Sequence, residues 1–225
     1  MEPKDKSKLA AALSAGIILA VTVGTWVYGA GMSLTPQLRA EYVARWQGMK
    51  IRPDKANYVK ARVDRISHFI PQYTAVSKAT GVPWHVVAVM DELEGGGGAA
   101  THLHNGDSLK RKTVNVPAGR PNHPPPYTFY DSALDALKYD GFTDWDDWSL
   151  SGTLYKLEGY NGWGYRSKSR NIPSPYLWSF ATPPYSRGKF IADGRYDPNA
   201  VSAQVGAAVL LKRMEELKLI KLEVR

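Results

Sequence analysis

The sequence predicts a mainly α-helical protein held behind an N-terminal membrane-spanning segment. Three observations carry this. Leu9 to Met32 runs 24 residues without a charge, long enough to cross a bilayer as a helix. Val59, Val63, Ile66, Ile70 and Tyr73 then recur at the spacing of an amphipathic helix. Trp84–Glu94 and Thr128–Tyr139 repeat that helical pattern further along. The chain therefore divides into a membrane segment over 1–32, a connector over 33–56 and a folded domain over 57–225.

The N-terminal segment has a readable orientation. Lys4, Lys6 and Lys8 precede it and the next charge is Arg39, so the excess of positive charge places the N-terminus in the cytoplasm and the rest outside. Trp26 and Tyr28 suit the outer interface. Ala and Gly supply ten of the 24 residues, with Ser14, Thr22 and Thr25 added. Such small residues bury little apolar area, so the gain from leaving water is modest. A cleaved signal peptide, a permanent anchor and a signal-anchor that later leaves the bilayer all fit, although Tyr28-Gly-Ala30 is a poor cleavage site.

The connector is polar and basic, with Leu38, Tyr42 and Trp46 four residues apart. In the next helical stretch, Pro71 should kink or divide the helix, because it offers no N–H and its ring crowds the preceding turn. Gly81-Val-Pro83 breaks the chain before Trp84–Glu94. Pro83 suits a first helical position and Gly95 a left-handed cap. Gly95 to Pro126 reads as a long, specific loop, in which the alternation of Val114 and Val116 suggests a short hairpin arm. Thr128 and Asp131 fit a capping box opening the helix to Tyr139. Leu150–Leu157 reads as a short helix leading into a turn at Tyr160-Asn161-Gly162. Asp197-Pro198 should open the last helix, with Asp as cap and Pro at the first position.

Within Trp84–Glu94, a wheel at 100° per residue sets Val86, Val87, Val89, Met90 and Leu93 on one broad face. Glu94 falls between Met90 and Val87, whereas Asp91 and Glu92 point away. A carboxylate at the wall of a core loses solvation and its pKa rises. It can then stay protonated near neutral pH, as a general acid must. Asp107 is the best second carboxylate, in the turn just across the loop; an Asx turn that only shapes the loop is the competing reading. Tyr160 and Asn161 offer a phenol and an amide for hydrogen bonds to a sugar. Trp163, Tyr165, Tyr176 and Trp178 offer rings that could stack on sugar faces, or fill a core.

Composition limits the alternatives. Seven Trp and thirteen Tyr suit a ligand groove, and a formal net charge of +8 favours a polyanionic partner. There is no cysteine, hence no disulfide and no thiolate metal site. His102 and His104 lack a spaced third ligand, which makes a metal reading weak. The glycine run follows a helix, whereas a phosphate cradle precedes one. No nucleophile elbow and no nucleic-acid-binding motif appear.

Leu103-His-Asn-Gly-Asp107, Thr113–Arg120, Glu158-Gly-Tyr-Asn-Gly-Trp-Gly-Tyr-Arg166, Ser174-Pro-Tyr-Leu-Trp178 and Gly188–Gly194 together resemble lysozyme-family endolysins of phages and bacteria. These are similar to goose-type lysozymes and lytic transglycosylases. The resemblance covers about residues 58–215. It implies a two-lobed lysozyme-like fold and cleavage of peptidoglycan between N-acetylmuramic acid and N-acetylglucosamine, without metal or cofactor. It maps the family's catalytic glutamate to Glu94 and a catalytic aspartate to Asp107, with Tyr160, Asn161, Tyr165, Tyr176 and Trp178 lining the sugar cleft. The Ala/Gly-rich N-terminus resembles the signal-anchor-release segment of secreted phage endolysins. That implies a protein tethered in the host inner membrane with its domain on the periplasmic side, from which it can be released. A lytic transglycosylase making 1,6-anhydro ends, and a non-catalytic anchored wall-binding protein, are the alternatives.

Overall fold

The computed structural model describes residues 32–225 apart from 168, 169 and 193. The expected membrane segment lies outside the described residues but for Met32. Among the described residues no helix is long and apolar enough to cross a membrane.

The fold is mainly helical, as expected. Helix α1 (Pro36–Gly48) opens on Thr35, whose side chain accepts the Leu38 N–H, with Pro36 in the first turn. Helices α2 (Ala56–His68) and α3 (Ile70–Thr80) are separate, because Pro71 in the first turn of α3 ends the run. Val59, Val63, Ile66 and Tyr73 face the core from the two. Helix α4 (Trp84–Gly95) packs against α2, α3 and a C-terminal helix α8 (Ala207–Glu216). Helix α5 (Phe129–Tyr139) packs on α3, and its Thr128–Asp131 capping box forms in both directions. Helix α6 (Leu150–Asn161) lies against α1, and the short α7 (Pro175–Trp178) joins α6 to α8. Strands are few. β1 (Lys50–Ile51) pairs antiparallel with β2 (Ala181–Thr182), and β3 (Lys189–Ala192) with β4 (Arg195–Asp197).

Four sequence expectations need correction. Residues 33–56 are not a free connector: Leu38, Tyr42 and Trp46 of α1 are buried in the main core. The Tyr42 hydroxyl donates to Glu158 Oε2 at 2.5 Å inside α6. Arg166 completes that buried cluster with a 2.8 Å contact to Glu158 and a 2.9 Å contact to Glu41. The folded unit thus takes in α1 and the residues just before it, and does not begin at 57. The last helix starts at Ala207, not at Asp197, because Asp197 closes a local turn by accepting the Asn199 N–H at 2.8 Å and Val201 stays exposed. The arm at 113–120 has no strands. It is a closed loop tied by Thr113 N–H to the Arg120 carbonyl and Gly119 N–H to the Thr113 carbonyl, both at 2.8 Å.

The fourth correction concerns α4 itself. Asp91 and Glu92 do not point to solvent but are 1% and 4% exposed. A helix packed on three neighbours has no free side, so the residues off the apolar stripe meet α2 and α3. Asp91 Oδ2 accepts from the Tyr73 hydroxyl at 2.7 Å and the Ala99 N–H at 2.9 Å. Glu92 Oε1 pairs with Arg62, which also donates to the Gly96 carbonyl, and Arg65 donates to the Gly97 carbonyl at 2.8 Å. The glycine run is folded over these groups. Gly96, Gly97 and Gly98 all have positive φ, and a Cβ on Gly97 would stand 2.4 Å from Glu92 Oε2. The left-handed cap is therefore Gly96, one residue past the expected Gly95.

Candidate active site

Glu94 sits in the last turn of α4 and is 9% exposed. Its Oε1 accepts a 3.2 Å hydrogen bond from the Tyr176 hydroxyl of α7. Burial raises its pKa to about 7; the Tyr176 hydrogen bond pulls the other way, and the charge of Asp140 adds to the rise. Glu94 has no ion pair among the described residues. It can therefore hold a proton near neutral pH and release it to a substrate oxygen.

Glu92 reaches about 7 as well, through burial that Arg62 only partly offsets. A raised pKa alone does not single out the acid. Placement does: Glu92 is closed in by Arg62 and the glycine run, whereas Glu94 meets a wall of tyrosines. Tyr176 and Tyr160 lie with ring centroids 6.2 Å apart. Both are half-buried, and burial followed by the Glu94 charge raises both phenol pKa values. They stay neutral donors. Tyr160 lies in the final turn of α6 rather than in a glycine-freed loop, because α6 continues four residues past Leu157. Its hydroxyl donates to the His104 carbonyl at 3.3 Å.

The 101–108 turn is built onto Glu94. Thr101 and Ser108 form a bridge, His102 N–H donates to the Asp107 carbonyl at 2.7 Å, and Gly106 N–H donates to the His102 carbonyl at 2.8 Å. Gly106 has φ +75°, and a Cβ there would lie 2.4 Å from the Glu94 carbonyl oxygen. Only glycine lets the turn rest on the backbone of the acid.

Asp107 has its carboxylate filled. Oδ2 accepts from Val114 N–H at 2.8 Å and Asn115 N–H at 2.9 Å, and Oδ1 accepts from Asn115 Nδ2 at 2.7 Å. Desolvation pushes its pKa up, but these donors outweigh it and hold the group below the usual carboxylate range. The arrangement fastens the 113–120 arm to the turn under Glu94.

His102 and His104 are likewise committed. His102 Nε2 meets the Arg111 carbonyl at 2.8 Å, which fixes it as the donor, so Nδ1 accepts from Ser132 Oγ at 2.8 Å. His104 Nε2 meets Asp135 Oδ2 at 2.8 Å, and Arg120 holds the same carboxylate with two contacts of 2.9 and 2.6 Å. Burial lowers the His104 pKa. Among the described residues no group of three His, Cys, Asp or Glu could hold a metal ion.

The structure brings Glu94, Tyr160 and Tyr176 together, with Asp107 in the adjoining turn. Asn161 follows Tyr160 and is exposed. Two expected cleft residues are elsewhere. Trp178 is fully buried in the core and cannot stack on a sugar. Tyr165 packs under the β3–β4 hairpin: its ring lies 5.1 Å from that of Phe190, and its hydroxyl accepts the Phe190 N–H at 3.0 Å. Aromatic side chains serve cores and ligand walls equally well, so their residue type did not separate these two from Tyr160 and Tyr176. Sequence reasoning missed Asp140, whose charge reaches Glu94, Tyr160 and Tyr176. It stands one residue past the helix predicted to end at Tyr139, with no motif around it.

No protein-family model, curated protein or solved structure matches this chain.

Proposed function

We propose that this protein is a peptidoglycan-cleaving muramidase of the endolysin type, with a lysozyme-like fold and Glu94 as general acid. The observation that carries the reading is the state of Glu94: buried at a helix end, without an ion pair among the described residues, raised to about 7, and faced by two neutral phenols. Cleavage of a β-1,4 glycosidic bond needs a proton at the leaving oxygen while the sugar ring gains oxocarbenium character. Glu94 supplies that proton, and Tyr160 and Tyr176 offer an apolar wall with hydroxyls at its edge. The substrate is the bond between N-acetylmuramic acid and N-acetylglucosamine, and the positive net charge suits an anionic wall polymer. Residues 1–32 tether the domain to the host inner membrane as a signal-anchor, with catalysis on the periplasmic side.

A lytic transglycosylase is the second reading. It is favoured by one observation: the Asp107 carboxylate is occupied by three donors, which leaves it poorly placed to activate water. The experiment for the acid is Glu94→Gln in the full chain, assayed for solubilisation of purified peptidoglycan. Turnover should fall by roughly 10²–10⁴-fold with the fold retained by circular dichroism. Turnover close to wild type would remove Glu94 from the chemistry.

A further inference from the structure

Asp140 stands at the C-terminal end of α5, in the corner that leads to Phe142. That corner is pinned to α6. Lys156 Nζ donates to the Asp140 carbonyl at 3.2 Å and sits 4.8 Å from the Phe142 ring. Phe142 meets Tyr160 edge-on at 5.7 Å. Lys156 and Tyr160 are four apart on α6 and so share a face. Tyr160 then leads to Tyr176 and Tyr176 to Glu94. The corner, the two tyrosines and Glu94 form one continuous cluster.

The Asp140 carboxylate is unusual within this chain. Among the described aspartates that are not exposed, the others all accept a hydrogen bond: Asp64 from Lys60, Asp91 from Tyr73, Asp107 from the arm, Asp131 from Thr128, Asp135 from Arg120, Asp147 from Ser149 and Asp197 from Asn199. The carboxylate of half-buried Asp140 has none among the described residues. Partly desolvated, unbonded among the described residues and within electrostatic reach of Glu94, it is free to act as a reacting group.

We propose that Asp140 is the second carboxylate of the site, taking the proton of the attacking water while Glu94 protonates the leaving oxygen. This rests on the muramidase reading and makes the reaction a hydrolysis. The bond from the anomeric carbon to the bridging oxygen breaks, and the Glu94 proton goes to that oxygen. The water oxygen bonds to the anomeric carbon, and its proton goes to Asp140. Passage of that proton back to Glu94 through solvent restores the resting pair.

Electrostatics supports the pairing. Burial raises Asp140 to about 7; Lys156 of α6 and Arg120 of the arm lower it, and Asp135 of α5 raises it. Glu94 is raised to a similar value, in part by Asp140 itself. The Asp140 charge favours the protonated form of Glu94, the form a general acid needs. Tyr160 and Tyr176 are the other titratable groups that face both among the described residues.

The test uses the full-length protein in detergent and two readouts. The first is turnover on purified peptidoglycan across pH; the second is the carboxyl titration of Glu94 by ¹³C NMR, assigned by difference with Glu94→Gln. Asp140→Asn removes a negative neighbour, so the Glu94 midpoint and the alkaline limb of activity should both move to lower pH. Turnover should fall by about 10²-fold or more, and Asp140→Glu should recover part of both. An unchanged Glu94 midpoint in Asp140→Asn overturns the proposal, even if activity is lost, because a purely structural role would leave the midpoint in place. A wild-type protein that releases nothing from peptidoglycan overturns the muramidase reading. The Glu94 midpoint then still decides whether the two carboxylates form one site.

Discussion

Replacing Gly106 by alanine separates two costs that are combined at the turn beneath Glu94. The first is conformational. Gly106 has φ +75°, in the left-handed region, where a side chain costs about 1–2 kcal/mol. The second is steric. The added methyl would stand 2.4 Å from the carbonyl oxygen of Glu94, and a backbone atom cannot rotate away. Overpacking of that kind costs typically about 1–3 kcal/mol more. Gly119 provides the matched control: its φ is +79°, yet nothing lies within 4 Å of a Cβ placed there. Gly119→Ala should therefore show only the first cost, a loss of roughly 2–8 °C in melting temperature at about 2–4 °C per kcal/mol. Gly106→Ala should lose about twice that. It should also lose activity on the order of 10²-fold, since displacement of a catalytic group by about 1 Å carries that penalty. Thermal denaturation and peptidoglycan solubilisation of the two variants read both quantities. Equal melting temperatures and equal activities would refute the packing of the turn on the acid.

Two further predictions follow from the buried charges. Glu94 is raised from its model-compound value of 4.5 to about 7, so the folded state holds a proton that the unfolded state has already lost. Stability then falls as pH rises through that window. Glu94→Gln should leave stability near wild type at pH 4 and raise it at pH 8 by up to about 3 kcal/mol; differential scanning calorimetry at the two pH values checks it. Arg166→Met leaves Glu158, which is fully buried, with the Tyr42 hydroxyl as its remaining partner. The loss of the cation should cost about 3–5 kcal/mol in urea denaturation, and proteolysis near α1 should increase with it.

Much of the helical framework was legible because its signals are local. The 59–73 spacing, the proline at 71 and the Thr128–Asp131 box each act within one or two turns, and each appears where expected. The burial of Glu94 was legible for a related reason: its wheel position next to Met90 and Val87 holds whichever helices cover that face. The failures lie where tertiary contacts decide. The wheel assumes one buried side, and α4 is enclosed by α2, α3 and α8, so Asp91 and Glu92 were misplaced. The Asp197-Pro198 cap signal is real chemistry, used here for a turn. α1 looked like a polar connector because its buried residues Leu38, Tyr42 and Trp46 are interleaved with Gln37, Arg39, Glu41, Arg45 and Gln47. Its place in the core depends on Glu158 and Arg166, more than a hundred residues away. Asp140 could not be singled out at all. An aspartate at a helix end is ordinary, and its absence of hydrogen-bond partners among the described residues emerges only when α5 and α6 are set side by side.

The most direct measurement of the central claim is mass spectrometry of purified peptidoglycan digested by the full-length protein, with Glu94→Gln alongside. The account predicts soluble fragments ending in reducing N-acetylmuramic acid from the wild type, and essentially none from the variant. Fragments ending in 1,6-anhydro-N-acetylmuramic acid would keep Glu94 as the acid and contradict hydrolysis. Equal release by both proteins would contradict the account at its root.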